Sequence, residues 1–137
     1  MALYELRTYT LRVGAMAEAV KLYQELGFPA LQNGGQDKKL VGYFQTDTGT
    51  INQLVHLWKF DDDSDRRAHW ASVYSNKDFV EGFASKFRPL LMTQEVKLLQ
   101  AARGVRTRRG FHLVHGPITL GRETTSAGSA DTTADAA

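Results

Sequence analysis

GTINQLVHLWKFDDD, residues Gly49 to Asp63, decides how this chain folds. It reads as a β-strand that runs into an acidic turn. Side chains alternate from face to face along a strand. Asn52, His56 and Trp58 fall on one face here, Val55 and Leu57 on the other. A strand with one wet face would alternate cleanly between apolar and polar. This one has two half-apolar faces, so both are expected to be covered. The expected arrangement turns Val55 and Leu57 toward helices, and His56 and Trp58 toward a second sheet.

Upstream, Leu40 to Thr46 (LVGYFQT) is a second strand run, and Asp47-Thr48-Gly49 is a tight turn joining the two into a hairpin. Leu3 to Thr10 is the first strand, with Tyr4, Leu6 and Thr8 on one face and Glu5, Arg7 and Tyr9 on the other. After Gly14, Met16, Ala19, Val20, Tyr23 and Leu26 recur at helical spacing. Gly27, with Phe28-Pro29 behind it, is expected to stop that helix by taking a left-handed cap.

Downstream, the carboxylates of Asp61 to Asp65 suit the positive end of a helix running from about Ser64 to Tyr74. Ser75-Asn76-Lys77-Asp78 is a second cap, followed by helical turns through Phe79, Phe83 and Phe87. Pro89 closes them, and Leu91 to Leu99 is the last strand. The order β-α-β-β-α-β is the ferredoxin-like pattern, an α+β fold with a four-stranded antiparallel sheet and helices on one face. The other sheet face is then bare. With Tyr9, Leu54 and Trp58 assigned to it, that face is too apolar to be wet. Two such sheets are expected to meet in a homodimer, with Glu5, Arg7, Tyr9, His56 and Trp58 between them.

The 137 residues have room for one domain. No cysteine is present, which excludes disulfides, thiol nucleophiles and cysteine metal sites. No basic region followed by an apolar run opens the chain, and no apolar run approaches the roughly 20 residues of a membrane span. A cytoplasmic location is the expectation. Residues 1–102 carry twelve basic and twelve acidic side chains, so the net charge of +2 arises entirely beyond them. Arg103, Arg106, Arg108 and Arg109 form a basic run without interleaved aromatics, which reads as a solvated linker and not as a nucleic-acid surface. The division expected is a folded domain over 1–102, a basic extension over 103–121 with a short strand run at Phe111 to Val114, and a disordered tail over 122–137.

Among chemistry-bearing residues, His56 is the foremost acid/base candidate, since imidazole titrates near neutral pH. A half-buried histidine bonded across a dimer would look the same in sequence. Glu5 and Arg7, two apart on one strand and about 6–7 Å apart along it, form either a dimer salt bridge or an anion site. Tyr9 extends the row as a hydrogen-bond donor. Trp58 and Tyr43 can stack on a planar substrate or serve as core. Asn52 can orient a carbonyl or close the turn. His69 is expected to be a solvated helix residue, on a helix expected to bury some of Ala68, Trp70, Ala71, Val73 and Tyr74. No histidine pair has metal-ligand spacing on one element, apart from a weak His112/His115 pair, and no phosphate loop or Gly-x-Ser-x-Gly motif occurs. No metal or cofactor is expected.

Tyr4-Glu5-Leu6-Arg7-Thr8-Tyr9-Thr10-Leu11, Gly14, Leu40-Val41-Gly42-Tyr43-Phe44, Asn52-Gln53-Leu54-Val55-His56-Leu57-Trp58 and Arg88-Pro89-Leu90-Leu91 occur in that order. Together they closely resemble the NIPSNAP family over residues 2–100. The resemblance implies ferredoxin-like subunits paired into a dimeric α/β-barrel. Related barrels include cofactor-free monooxygenases, haem-degrading enzymes, decarboxylases and cyclases, which share an apolar cavity between sheet and helices. The Thr/Ser/Ala/Asp-rich tail looks bacterial.

Two functions follow as expectations. In the first, a small cofactor-independent protein binds an apolar or aromatic metabolite. It tailors that metabolite by proton transfer, cyclisation or oxygenation in bacterial secondary metabolism. His56, Arg7, Glu5 and Tyr9 would then be catalytic, and Trp58, Tyr43 and Asn52 would bind substrate. In the second, the chain is a non-catalytic dimer that binds a ligand or a protein.

Overall fold

The structure is a computed structural model that describes residues 2–102. The expected extension and tail, 103–121 and 122–137, lie outside the described residues. Strand β1 (Leu3–Leu11) leads to α1 (Met16–Leu22), a π-helical turn at Tyr23–Gly27 and α2 (Phe28–Asn33). Strands β2 (Leu40–Gln45) and β3 (Gln53–Phe60) follow, then α3 (Asp63–Ser75). A second π-helical turn at Asp78–Ala84, the short α4 (Ser85–Phe87) and a 3-10 turn at Arg88–Leu90 lead into β4 (Leu91–Gln100). The sheet is antiparallel, in the order β2-β3-β1-β4, with β2 and β4 as edges. This is the expected α+β ferredoxin-like arrangement.

The first helical segment departs from expectation. Gly27 is not a left-handed stop: its φ is −70°, and the helix continues past it to Asn33. A proline has no N–H to donate, and its ring crowds the carbonyl four residues back. Just before Pro29 the helix widens, and Phe28 N–H donates to the Tyr23 carbonyl five residues earlier. That π turn lets the helix pass the proline. Gly27 serves packing instead. A Cβ there would lie 2.9 Å from ring atoms of both Phe83 and Tyr23. Gly35, with φ +74°, supplies the left-handed turn that ends the segment.

The caps of α3 and of the π-helical turn that follows it form as their residues dictate. Asp62 accepts from Asp65 N–H at 2.8 Å, and Asn76 accepts from Phe79 N–H at 3.2 Å.

The faces of the sheet are the reverse of those expected. Along β3 the even residues Leu54, His56, Trp58 and Phe60 are buried and the odd residues are half-buried. Residues directly opposed in an antiparallel pair share a face. Glu5 stands opposite Trp58, Arg7 opposite His56, and Tyr43 also opposite His56. All of these point toward the helices. The open face instead carries Tyr4, Leu6 and Thr8 of β1, Val55, Leu57 and Lys59 of β3, and Phe44 of β2. Physically, Leu54, Trp58 and Phe60 bring more apolar area to the helix side than Val55 and Leu57 would. The carboxylate of Glu5 also finds two of its three donors on α3.

Candidate functional site

The inner face of the sheet and the helical layer enclose a cavity of about 330 Å³. Its floor is Arg7 and Tyr9 of β1 with His56 and Trp58 of β3. Tyr23 of the first π turn and Trp70 of α3 form two sides. Phe79, Phe83 and Phe87 form a third, placed four residues apart so that one helical face presents all three rings. Phe83 stacks on Phe87 with ring centroids 4.9 Å apart, and Tyr9 meets Phe87 edge-on at 5.9 Å. The exposed side chains of Tyr74, Arg88 and Met92 also line the cavity and mark its mouth.

A buried ion cluster sits beneath one end. Glu5 is fully buried and accepts from three donors. These are Arg7 Nε at 2.6 Å, Arg66 Nη1 at 3.1 Å and Trp70 Nε1 at 3.3 Å. The Glu5–Arg7 pair therefore forms within one protomer and is shared with α3. It is not a bridge across a dimer. A carboxylate removed from water costs several kcal/mol unless donors surround it, and these three supply that. The Arg7 guanidinium lies over Trp70, with Cζ 3.9 Å from the ring centroid, which adds a cation–π contact. Its Nη1 also donates to the Tyr9 hydroxyl at 3.4 Å. Burial works against the charge on Arg7. The electrostatic influence of Tyr9 and the bonds to Glu5 and Tyr9 outweigh it, so Arg7 is held firmly protonated.

His56 is buried among aromatic rings. Tyr43, Tyr9 and Tyr23 stand 4.4, 5.2 and 5.4 Å from it, centroid to centroid. Its Nε2 has no hydrogen-bond partner among the described residues, and neither do the hydroxyls of Tyr23 and Tyr43 nor the Trp58 indole N–H. Burial first, and then the nearby Arg7 charge, push the His56 pKa down to about 3. The imidazole is neutral at pH 7, which makes it a weak base in the free protein. Burial likewise raises the pKa of Tyr23 and Tyr43, so both stay protonated.

The structure thus brings Glu5, Arg7, Tyr9, His56 and Trp58 to one place, but on the helix side of the sheet and not between two sheets. Tyr43 stands behind His56 and does not line the cavity. Asn52 lies apart from the cavity lining. Its backbone is left-handed, with φ +62°, and its carbonyl accepts from Leu11 N–H at 2.8 Å, so it closes the turn into β3.

His69 is not solvated as expected. It is buried against Trp58, Phe60 and Trp70. Arg66, His69, Trp70 and Val73 follow i, i+3, i+4, i+7 spacing, the stripe that faces a core. That spacing is the signal by which Arg66 and Trp70 are readable as site residues. Among the described residues, no group of three or more His, Asp or Glu is placed to hold a metal ion. No helix among them is long and apolar enough to cross a membrane.

Residues 4–103 match the NIPSNAP family profile. A solved NIPSNAP family protein of Agrobacterium tumefaciens is 26% identical with a TM-score of 0.71, the match covering 79% of this chain and all of that one. Another from the same organism, described as of unknown function, is 32% identical with a TM-score of 0.69, covering 76% of this chain and 91% of that one. SnoaB of Streptomyces nogalater, described as a cofactor-independent oxygenase, is 18% identical with a TM-score of 0.52 and shares the fold, the match covering 77% of this chain and 98% of that one. No curated protein matches the chain.

Proposed function

The chain belongs to the NIPSNAP family, and on that premise we propose that its cavity binds a planar, largely apolar small metabolite. The observation that carries this reading is the aromatic cavity of about 330 Å³ between sheet and helices, with Arg7, Tyr9 and His56 among the few polar groups on its floor. That volume lies at the lower end of the usual range for small-molecule sites, and a few polar groups in an apolar wall are their usual make-up. Trp58 and Trp70 add aromatic surface to the cavity lining.

The same floor suits a cofactor-independent tailoring step on the bound ring: proton transfer, cyclisation or oxygenation. Arg7 would face negative charge developing on a ligand oxygen, and Tyr9 would donate to it. His56 would take a proton only once its own environment changed, because burial first, and then Arg7, disfavour the imidazolium in the free protein. The fold shared with SnoaB, a cofactor-independent oxygenase, makes this reading worth testing without assigning it.

The half-buried apolar side chains Leu6, Val55 and Leu57 on the open face support a second copy of the chain as its cover. A non-catalytic ligand-binding dimer would use the same cavity and the same open face.

The test is a panel of planar aromatic compounds followed by tryptophan fluorescence and thermal shift. Both tryptophans of the sequence line the cavity, so a bound ring is expected to quench them and raise the melting temperature. A panel that produces neither effect at millimolar concentration rejects the binding reading. Turnover that survives both His56→Ala and Arg7→Ala rejects the catalytic one.

A further inference from the structure

We propose that the ligand of this cavity is an aromatic anion whose acidic oxygens sit against the unbonded edge of Arg7, with the Tyr9 hydroxyl as second donor. The proposal deepens the binding reading above and rests on it.

The first argument is a count of donors. A guanidinium has five N–H groups and cannot lose its charge in a protein. Arg7 uses Nε on Glu5 and one Nη1 hydrogen on Tyr9. Among the described residues, Nη2 has no partner at all. Yet the Arg7 side chain is only 14% exposed, and it lines the cavity. Nη2 is not sealed off from solvent, so its two N–H groups are open to an acceptor that a ligand brings into the cavity. Tyr9 points the same way. Its hydroxyl oxygen accepts from Arg7, which leaves its own proton to donate elsewhere, and Tyr9 also lines the cavity.

The second argument is a count of charge. Arg7, Arg66, Arg67, Glu5 and Asp63 form one connected set of ion pairs. It holds three positive and two negative groups, so one positive charge is unmatched. Arg7 is the member of that set at the cavity. Among the described residues, the only other charged side chain lining the cavity is Arg88, also positive, at the exposed mouth, and no carboxylate lines it. His56, on the same floor, stays neutral and adds no competing charge.

The third argument is orientation. Glu5 grips the Nε side of the guanidinium and Trp70 supports its face. The plane of the fork is thereby set before any ligand arrives. A preset planar fork suits a carboxylate or an enolate, which meet arginine through in-plane hydrogen bonds. The aromatic walls take the remainder of the molecule. Glu5 acts here as a positioning residue and does not touch the ligand.

The experiment compares two probes of the same shape on the full chain by isothermal titration at neutral pH: 2-naphthoate, which is ionised, and 2-naphthamide, which is not. The naphthoate is expected to bind about tenfold to a hundredfold more tightly, as a charge-assisted hydrogen bond in a desolvated site allows. Arg7→Gln is expected to erase that preference, so that the two probes bind with similar affinity. Arg88→Gln is expected to keep most of it.

Equal affinity of the wild-type protein for both probes overturns the anion assignment and leaves the binding reading intact. Failure of both probes to bind overturns the two together. A preference that survives Arg7→Gln, or that only Arg88→Gln removes, overturns the assignment to Arg7. The wild-type comparison needs no variant, so it decides even if Arg7→Gln does not fold.

Discussion

Glu5→Gln is the substitution that tests most of the structure at once. The Glu5 side chain has no exposure, and both its oxygens are used. Arg7 and Arg66, its two cationic partners, are only 14% and 17% exposed, so neither can turn freely to water when the carboxylate goes. A hydrogen bond to a charged group contributes roughly 1.5–3 kcal/mol, and breaking a buried pair costs about 3–5 kcal/mol. The amide oxygen of glutamine can still accept from Arg66 and Trp70, while its NH2 group faces Arg7 Nε donor to donor. The expected loss is therefore about 2–4 kcal/mol for Glu5→Gln and about 3–5 kcal/mol for Glu5→Ala.

For a folded unit of about 100 residues this is a fall of roughly 10 °C or more in Tm. The assay is urea denaturation followed by tryptophan emission, since Trp70 bonds to Glu5 directly and Trp58 stands opposite it. Arg66→Met, which removes one partner and keeps the Arg7 bond, is expected to cost less than Glu5→Ala. A Glu5→Gln protein within about 0.5 kcal/mol of wild type, the range of inconsequential surface changes, would refute the claim that this cluster ties α3 to the sheet and sets Arg7.

Three further outcomes are expected. The folded protein holds the His56 pKa at about 3, against about 6.5 in an unfolded chain. Between those values only the unfolded chain takes the proton, so stability falls as pH drops below about 6.5, by roughly 1.4 kcal/mol per unit. His69, lowered to about 4 by burial, adds the same sign. His56→Gln should flatten the slope between about pH 6 and 5 by close to one proton, and an unchanged slope in pH-dependent urea titrations would contradict the burial of His56. Gly27→Ala drives a methyl within 2.9 Å of Phe83 and Tyr23. It should lower the urea midpoint, because overpacking costs about 1–3 kcal/mol and alanine returns only about 1 in a helix; a raised midpoint would contradict the packing role. If the open face is the pairing surface, wild type is expected to sediment as a dimer, and Leu57→Asp as a monomer with its far-UV circular dichroism intact. A dimer that persists unchanged would remove the open face from consideration as the pairing surface.

The number of strands, their order along the chain and the β2–β3 hairpin were legible because alternation and turn residues are local signals. Leu40 to Thr46, the Asp47-Thr48-Gly49 turn and the strand after it read directly as a hairpin, and they form one. The direction each strand faces was not legible. His56 and Trp58 alternate with Val55 and Leu57, so β3 is apolar on both sides. The deciding contacts join Glu5 to Arg66 and Trp70, 61 and 65 residues away. No window along the sequence contains both ends of such a contact.

The passage of the helix through Pro29 was hidden for a different reason. Gly27 and Pro29 are ordinary stop signals, and the π turn that overrides them depends on packing of Tyr23 and Phe83 around Gly27. Among the candidate residues, Arg7, Tyr9, His56 and Trp58 were identified from strand position and chemistry, and the cavity gathers all four. Asn52 was drawn in by its place on the strand, and its left-handed backbone assigns it to the turn.

The central claim is that ligand enters between sheet and helices, over Arg7 and His56. The sequence contains two tryptophans, and both line that cavity, so an ¹⁵N–¹H spectrum should show two indole resonances that report on it. During titration with 2-naphthoate and 2-naphthamide, both indole signals are expected to move along saturating curves with one shared Kd per probe. Indole signals that stay fixed while the amides of Val55 and Leu57 on the open face shift would place the ligand on the other side of the sheet and contradict the account.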